Sequence, residues 1–190
     1  MAVFNINKEE KLNIPLIASQ NFLITNHETC SYYKALGCCG ATLTTELTKE
    51  EIKETCSKVK DLMYVNIFGY QLMAFSKRKL ITDYFSYIKR INLKKDNYMK
   101  KEGKDYLIKE NKTGTFMVSP YILDGLKYLS YFKDAKYIIL SEFKIEHISF
   151  LKVLKIYNDK ISFKENSDAS SVLDNTSLGF LDTKTIYKVK

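Results

Sequence analysis

The chain has 190 residues, 45% of them apolar, with a formal net charge of +8 and a pI near 9.1. These values suit one folded domain with a true core and exclude a disordered or low-complexity chain. No apolar run approaches the ~18 residues that span a bilayer, and the N-terminus lacks the apolar stretch of a signal peptide, so a cytoplasmic protein is expected.

Ile14 to Ala18 reads as a short buried strand, and Thr25-Asn26-His27-Glu28 as a capping box opening a helix through Tyr33 and Leu36 that Gly37 closes. Ala41 to Thr45 is the next strand. Thr48-Lys49-Glu50-Glu51 is a second capping box, starting a helix with Ile52, Cys56 and Val59 on one face, and Met63 to Ile67 follows as a strand. This alternation predicts an α/β fold with parallel pairing and right-handed crossovers. Gly69 then signals the strand's exit, and Ser76-Lys77-Arg78-Lys79 places a basic cluster in the loop beyond it. In parallel α/β folds the carboxyl ends of strands carry ligand sites, which gives this cluster a functional reading beside that of a solvated turn.

From Gln71 to Lys112 twelve Lys/Arg stand against five Asp/Glu, so nearly all the surplus charge lies here, interleaved with Tyr84, Phe85, Tyr87, Tyr98 and Tyr106. Such a stretch fits a phosphate backbone with bases stacked on rings; a solvated lysine-rich loop is the bland alternative. Between Lys89 and Lys112 periodicity fails, only Tyr106 to Lys109 looks extended, and an insertion at about 86–112 is expected. Thr115 to Val118 reads as a strand, Ser119-Pro120 as the start of a helix through Leu129, and Tyr137 to Leu140 as a strand. A helix from Ile145 through Phe150, Leu151, Leu154 and Tyr157 carries an apolar stripe that core packing explains. Glu165 to Ser177 is a polar loop, and Gly179 to Val189 alternates as a terminal strand.

Few residues here suggest chemistry. Cys30, Cys38, Cys39 and Cys56 have neither Cys-x-x-Cys spacing nor histidine companions, so no metal site is expected and buried free thiols are the simpler account. His27 and His147 sit near helix starts and read as surface residues. Glu46, Glu142 and the pair Thr25-Asn26 follow strands, where a side chain points into a strand-end site or simply favours a helix N-terminus.

The blocks Leu43 to Ile52, Phe68 to Phe85, and Gly114-Thr115 with Ser119-Pro120 resemble the collagenase-like peptidases, family thirty-two of the unassigned class. The pattern Ser-Lys-Arg-x-Leu-x-x-x-Tyr-Phe at Ser76 to Phe85 is most similar to short members that work in 5-hydroxylation of the tRNA wobble uridine. The likeness is collinear from about Ile14 to Lys160, with the Glu-Leu and Ser-Lys-Arg blocks its specific parts.

The resemblance implies a TIM-like barrel, of which this chain corresponds to the second half. That predicts a partial barrel of repeated βα units in one domain over 1–190, with a second protein chain completing the barrel or supplying the redox centre. It also implies tRNA as partner and prephenate as co-substrate, with Lys77, Arg78 and Lys79 as RNA contacts and Tyr84 stacking or packing beside them. Larger relatives hold an iron–sulfur cluster on four cysteines; Leu72 and Lys79 stand at two of those positions, so neither a cluster nor another cofactor is expected in this chain. The family's historical label gives a second reading, a peptidase or other hydrolase with Glu46 or Glu142 as acid or base, though no complete catalytic constellation accompanies them. A non-catalytic binding and assembly module is a third.

Overall fold

The computed structural model describes residues 2–19, 24–162 and 171–183, and within them helices and strands alternate from the start. A first helix α1 (Ala2–Glu9) precedes β1 (Leu16–Ser19), α2 (His27–Ala35), β2 (Cys38–Thr42), α3 (Lys49–Lys58) and β3 (Met63–Ser76). Then come α4 (Leu80–Tyr87), β4 (Asn97–Lys101), β5 (Lys104–Asn111) and β6 (Gly114–Asp124). After a 3-10 helix over Leu126–Phe132 follow β7 (Tyr137–Leu140), α5 (His147–Ile161), the two-residue β8 (Thr176–Ser177) and a 3-10 helix over Gly179–Asp182. The chain divides into two compact units, Met1–Gly69 with Leu123–Lys190, and Tyr70–Ile122.

In the first unit β1, β2, β3 and β7 are all parallel and lie side by side in that order. Each step in the chain is a step to the neighbouring strand, with α2 and α3 as crossovers, the arrangement that right-handed βαβ connections produce. The sheet is not closed, so the α/β class holds without a completed barrel. Its interior is built from Ala41, Met63, Val65 and Ile67 on the strands and Leu43 just past β2, with Ile52 and Cys56 of α3 one turn apart above them. Each such aliphatic side chain removed from water contributes about 1.5–3 kcal/mol. Phe68 meets the rings of Phe150 and Tyr157 at centroid distances of 6.2 and 5.8 Å, which seats α5.

The second unit is an antiparallel meander in which β6 pairs β5 and β5 pairs β4. Its core is small, centred on Leu107, Val118 and Ile122.

Several expectations change. Glycine did not end β3: Gly69 takes φ +112°, and a Cβ there would stand 2.7 Å from the Ser141 carbonyl oxygen, yet the strand continues to Ser76. The basic cluster therefore follows the far end of a fourteen-residue strand rather than the end of the short parallel one. Ser119-Pro120 does not start a helix but lies inside β6. The Ser119 hydroxyl accepts from the Gln71 N–H at 3.0 Å and donates to the Tyr121 carbonyl at 2.6 Å, local bonding that carries a strand past a residue with no N–H. The aperiodic stretch is the β4–β5 hairpin, and Gly179 opens a 3-10 helix rather than a strand. The remainder of that expected strand, over 184–189, lies outside the described residues, as does 165–170 of the polar run. On α5 the buried set is Phe150, Val153 and Tyr157, while Leu151 and Leu154 are exposed.

Candidate functional site

The loop from Ser76 to Lys79 is held by its neighbours in the second unit rather than left to solvent. Thr115 at the start of β6 donates its hydroxyl to the Arg78 carbonyl at 2.8 Å and accepts from the Leu80 N–H at 2.9 Å, bridging the loop to the first turn of α4. Beside it Gly114 adopts φ +140°, with the Ser76 carbonyl oxygen 2.1 Å from where a Cβ would stand. Gly114-Thr115 and Ser-Lys-Arg, separate blocks in the sequence, are thus one physical unit.

Helix α4 has no side-chain cap of its own, since Lys79 occupies the N-cap position. Glu110 on β5 supplies one. Its Oε2 accepts from the Ile81 N–H at 2.9 Å and the Thr82 N–H at 3.2 Å, and its Oε1 takes the Thr82 hydroxyl. This carboxylate satisfies two N–H groups that a helix start leaves orphaned and lies at the positive end of the helix dipole. Partial burial acts to raise its pKa, but the hydrogen bonds from Thr82, Ile81 and Thr115 outweigh that and hold it below the ordinary carboxylate value. A folded-state pKa that is depressed gives stability that is present above the unfolded value of 4.5 and is lost as pH falls through the lowered folded value. Glu110→Ala is expected to cost about 1 kcal/mol of local stability, the scale of a lost N-cap. The readout is a lower protection factor against amide hydrogen exchange at Ile81 and Thr82, and the same fall in protection, relative to the intrinsic exchange rate at each pH, is expected in the unsubstituted protein on acidification. Unchanged protection in the variant would show that Glu110 does not order this helix.

The consequence of this scaffolding is that Lys77, Arg78 and Lys79 project into solvent from a fixed backbone, and none of the three is ion-paired among the described residues. Tyr84 on α4 is 58% exposed and meets the Phe85 ring edge to face at 5.5 Å. A cavity of about 260 Å³ opens between α4 and the hairpin, lined by Thr82, Lys94, Lys95, Ile108 and Glu110 among others. Lys109 is engaged by Asp96, and Lys100 lies 4.0 Å from Asp105, so most of the unit's positive charge is uncompensated.

The carboxylates expected at strand ends lie in the first unit. Glu46 is exposed between β2 and α3, and Glu142 is exposed after β7, where its Oε1 is 2.7 Å from Nδ1 of His147. Glu46 is not part of that pair. Asn26 caps α2, its side chain accepting from the Thr29 N–H at 2.9 Å, so capping accounts for it. His27 lies 3.1 Å from Glu28. Cys30 beside it is fully buried, and burial pushes its thiol up to about 11, the opposite of what a nucleophile needs. Cys56 is raised in the same way to about 12. Among the described residues no three His, Cys, Asp or Glu side chains are grouped to hold a metal ion, and no helix is long and apolar enough to cross a membrane.

Sequence reasoning missed Glu110 and gave Thr115 no role beyond its place in a matching block. Both act across about thirty residues of chain, and no local spacing rule connects them to the loop they hold.

The family description Peptidase family U32 matches residues 1–169. A curated protein of Bacillus subtilis (strain 168), tRNA hydroxylation protein P2, is 29% identical over 184 residues, which cover 88% of this chain and 58% of the relative. The chain thus spans less than two thirds of that relative's length. No solved structure matches. With nearly nine tenths of its length matched, from the first residue through α5, the chain belongs to peptidase family U32.

Proposed function

We propose that this chain is a tRNA-modification protein of the cytoplasm, a subunit or degenerate member that binds tRNA in support of prephenate-dependent 5-hydroxylation of the wobble uridine. The observation that carries the reading is the rigidly held, unpaired Lys77-Arg78-Lys79 loop beside an exposed Tyr84 in a strongly basic unit. Its support from outside the chain is the relative named for tRNA hydroxylation, to which 88% of this chain is matched at 29% identity.

In this reading the lysines and arginine take phosphates, and Tyr84 offers a ring to an unstacked base. Prephenate is the co-substrate and another protein chain supplies the redox centre. Leu72 and Lys79 offer an isobutyl group and an ammonium where a cluster would need thiolates, so the residues here do not fit an iron–sulfur cluster and no step is assigned to one in this chain. The partner also completes the sheet: β1-β2-β3-β7 is an unswitched run of parallel strands, as in one arc of a barrel, with Ile17 exposed on β1 at one end and Ile148 and Leu151 exposed on α5.

The hydrolase reading has one observation in its favour, the carboxylate–imidazole pair Glu142–His147. Among the described residues no serine, threonine or cysteine side chain hydrogen-bonds that imidazole, so the third member of a nucleophilic triad is missing.

The test is tRNA binding by the purified chain across a range of salt concentrations. Replacing Lys77, Arg78 and Lys79 together with Ala is expected to weaken binding at least tenfold at low salt and to reduce the salt slope by roughly 2, about 0.7 per phosphate contact. Thermal unfolding should be unchanged, because all three side chains are exposed. Undiminished affinity would refute the contact assignment, and no binding by the unsubstituted chain at low salt would refute the function.

A further inference from the structure

Residues directly opposite in an antiparallel pair point to the same side of the sheet, and side chains alternate along each strand. On β5 one face therefore carries Lys104, Tyr106, Ile108 and Glu110, and their partners on β4, Lys101, Met99 and Asn97, share it. At its base this face meets α4 through Glu110, and Ile108 and Asn97 line the cavity that Lys94 and Lys95 also line. Outward from there come Met99, exposed, and Tyr106, half-buried, facing each other. At the tip Lys101 stands directly opposite Lys104.

Two features of that tip are costly for a hairpin with no task. The turn residues Glu102 and Gly103 take φ +53° and +73°, the left-handed pair of a tight type I′ turn, and glutamate is poorly suited to the first of these positions. Like charges placed directly opposite repel each other, and no carboxylate is paired with either lysine among the described residues. A polyanion laid between them would turn the repulsion into attraction.

We propose that this face is a binding track for a single-stranded segment of RNA, running about 20 Å along β5 from the cavity to the Lys101–Lys104 tip. It rests on the RNA-binding reading of the Lys77–Lys79 loop and adds a second, separable set of contacts that specifies the form of the nucleic acid. Phosphates lie along Lys94, Lys95, Lys101 and Lys104. Met99 and Tyr106 give an apolar, aromatic floor for a base, and the cavity receives an unstacked base at the other end. A duplex presents phosphates but keeps its bases stacked and inaccessible, so the track discriminates against it.

The experiment compares three proteins, unsubstituted, Lys101→Ala/Lys104→Ala, and the triple alanine variant of Lys77, Arg78 and Lys79, by fluorescence anisotropy with an RNA stem-loop and with a blunt duplex of the same stem. The tip variant is expected to bind the stem-loop about tenfold more weakly, with a salt slope reduced by roughly 1.4 at about 0.7 for each phosphate contact, while duplex binding changes little. Its melting temperature should be unchanged or slightly raised, since a repulsive pair has been removed; a purely structural role for these lysines would lower it. If the unsubstituted chain binds RNA, the triple variant loses affinity and the tip variant does not, the track is wrong while the RNA-binding reading stands. Equal losses on stem-loop and duplex would overturn the single-strand assignment. Failure of the unsubstituted chain to bind either RNA would overturn both readings.

Discussion

Gly114→Ala is expected to destabilise the protein by about 2–5 kcal/mol, the combined scale of a forced backbone conformation and an overpacked contact. The position combines φ +140° with a site where the new Cβ would stand 2.1 Å from the Ser76 carbonyl oxygen and 2.9 Å from the Lys77 Cα. Those neighbours are backbone, so no side chain can swing aside, and the strand start and the basic loop must part. Gly103 provides the control: it too has positive φ, +73°, but a Cβ there meets nothing within 4 Å. Gly103→Ala should therefore cost only the left-handed conformation, about 1–2 kcal/mol. For a chain of this size the Gly114 variant should melt roughly 4–20 °C lower, and amide exchange should rise around Ser76 to Leu80. A Gly114 variant no less stable than the Gly103 variant would show that the close approach does not constrain the loop. Because the loop carries Lys77, Arg78 and Lys79, the same substitution is expected to weaken RNA binding although it alters no charge.

What the residues reveal in advance follows from how far apart the interacting groups lie. The Thr48–Glu51 box of α3 closes within one turn, and both of its hydrogen bonds form as the spacing implies. The alternation of β1, α2, β2 and α3 is legible for the same reason, since each amphipathic element declares its period locally. Gly69 was misleading because glycine as punctuation and glycine as a kink inside a continuing strand look alike until the Ser141 carbonyl opposite it is known. The β4–β5 hairpin escaped detection because its first strand is almost wholly exposed and so has no apolar alternation, while its turn is Glu-Gly rather than Asn-Gly. On α5 the apolar residues cover more of the circumference than the core uses, so periodicity alone could not separate buried Val153 from exposed Leu154. The basic cluster itself was legible as a run of charge, but what holds its loop, Thr115 and Glu110, arrives from strands more than twenty-five residues away.

Removing one oxygen from the interior of the first unit should have an effect of similar size. Tyr157 on α5 is almost wholly buried and donates its hydroxyl to Oδ1 of Asp124 at 2.6 Å, and the same oxygen accepts from the Leu126 N–H at 3.1 Å. This buried carboxylate ties α5 to the turn that leaves β6, and Phe68 packs on the Tyr157 ring from the strand side. Tyr157→Phe keeps the ring and its packing but deprives a buried carboxylate of the phenol donor at 2.6 Å, which is expected to cost about 2–4 kcal/mol. Burial first, then the Asp124 charge and the hydrogen bond to it, push the phenol well above its ordinary value of 10.0. A folded-state pKa raised in this way gives stability that is fully present below pH 10 and declines as pH rises from there toward the folded value. Urea unfolding at neutral pH and above pH 10 should therefore find the gap between wild type and Tyr157→Phe narrowing on the alkaline side. Asp124→Leu in the Tyr157→Phe background should recover part of the loss, since the cost of the single change is a buried carboxylate left with one donor fewer rather than a missing packing contact. If Tyr157→Phe is neutral, or if the double variant is weaker by the sum of both changes, Asp124 does not depend on that hydroxyl and the seating of α5 rests on ring packing alone.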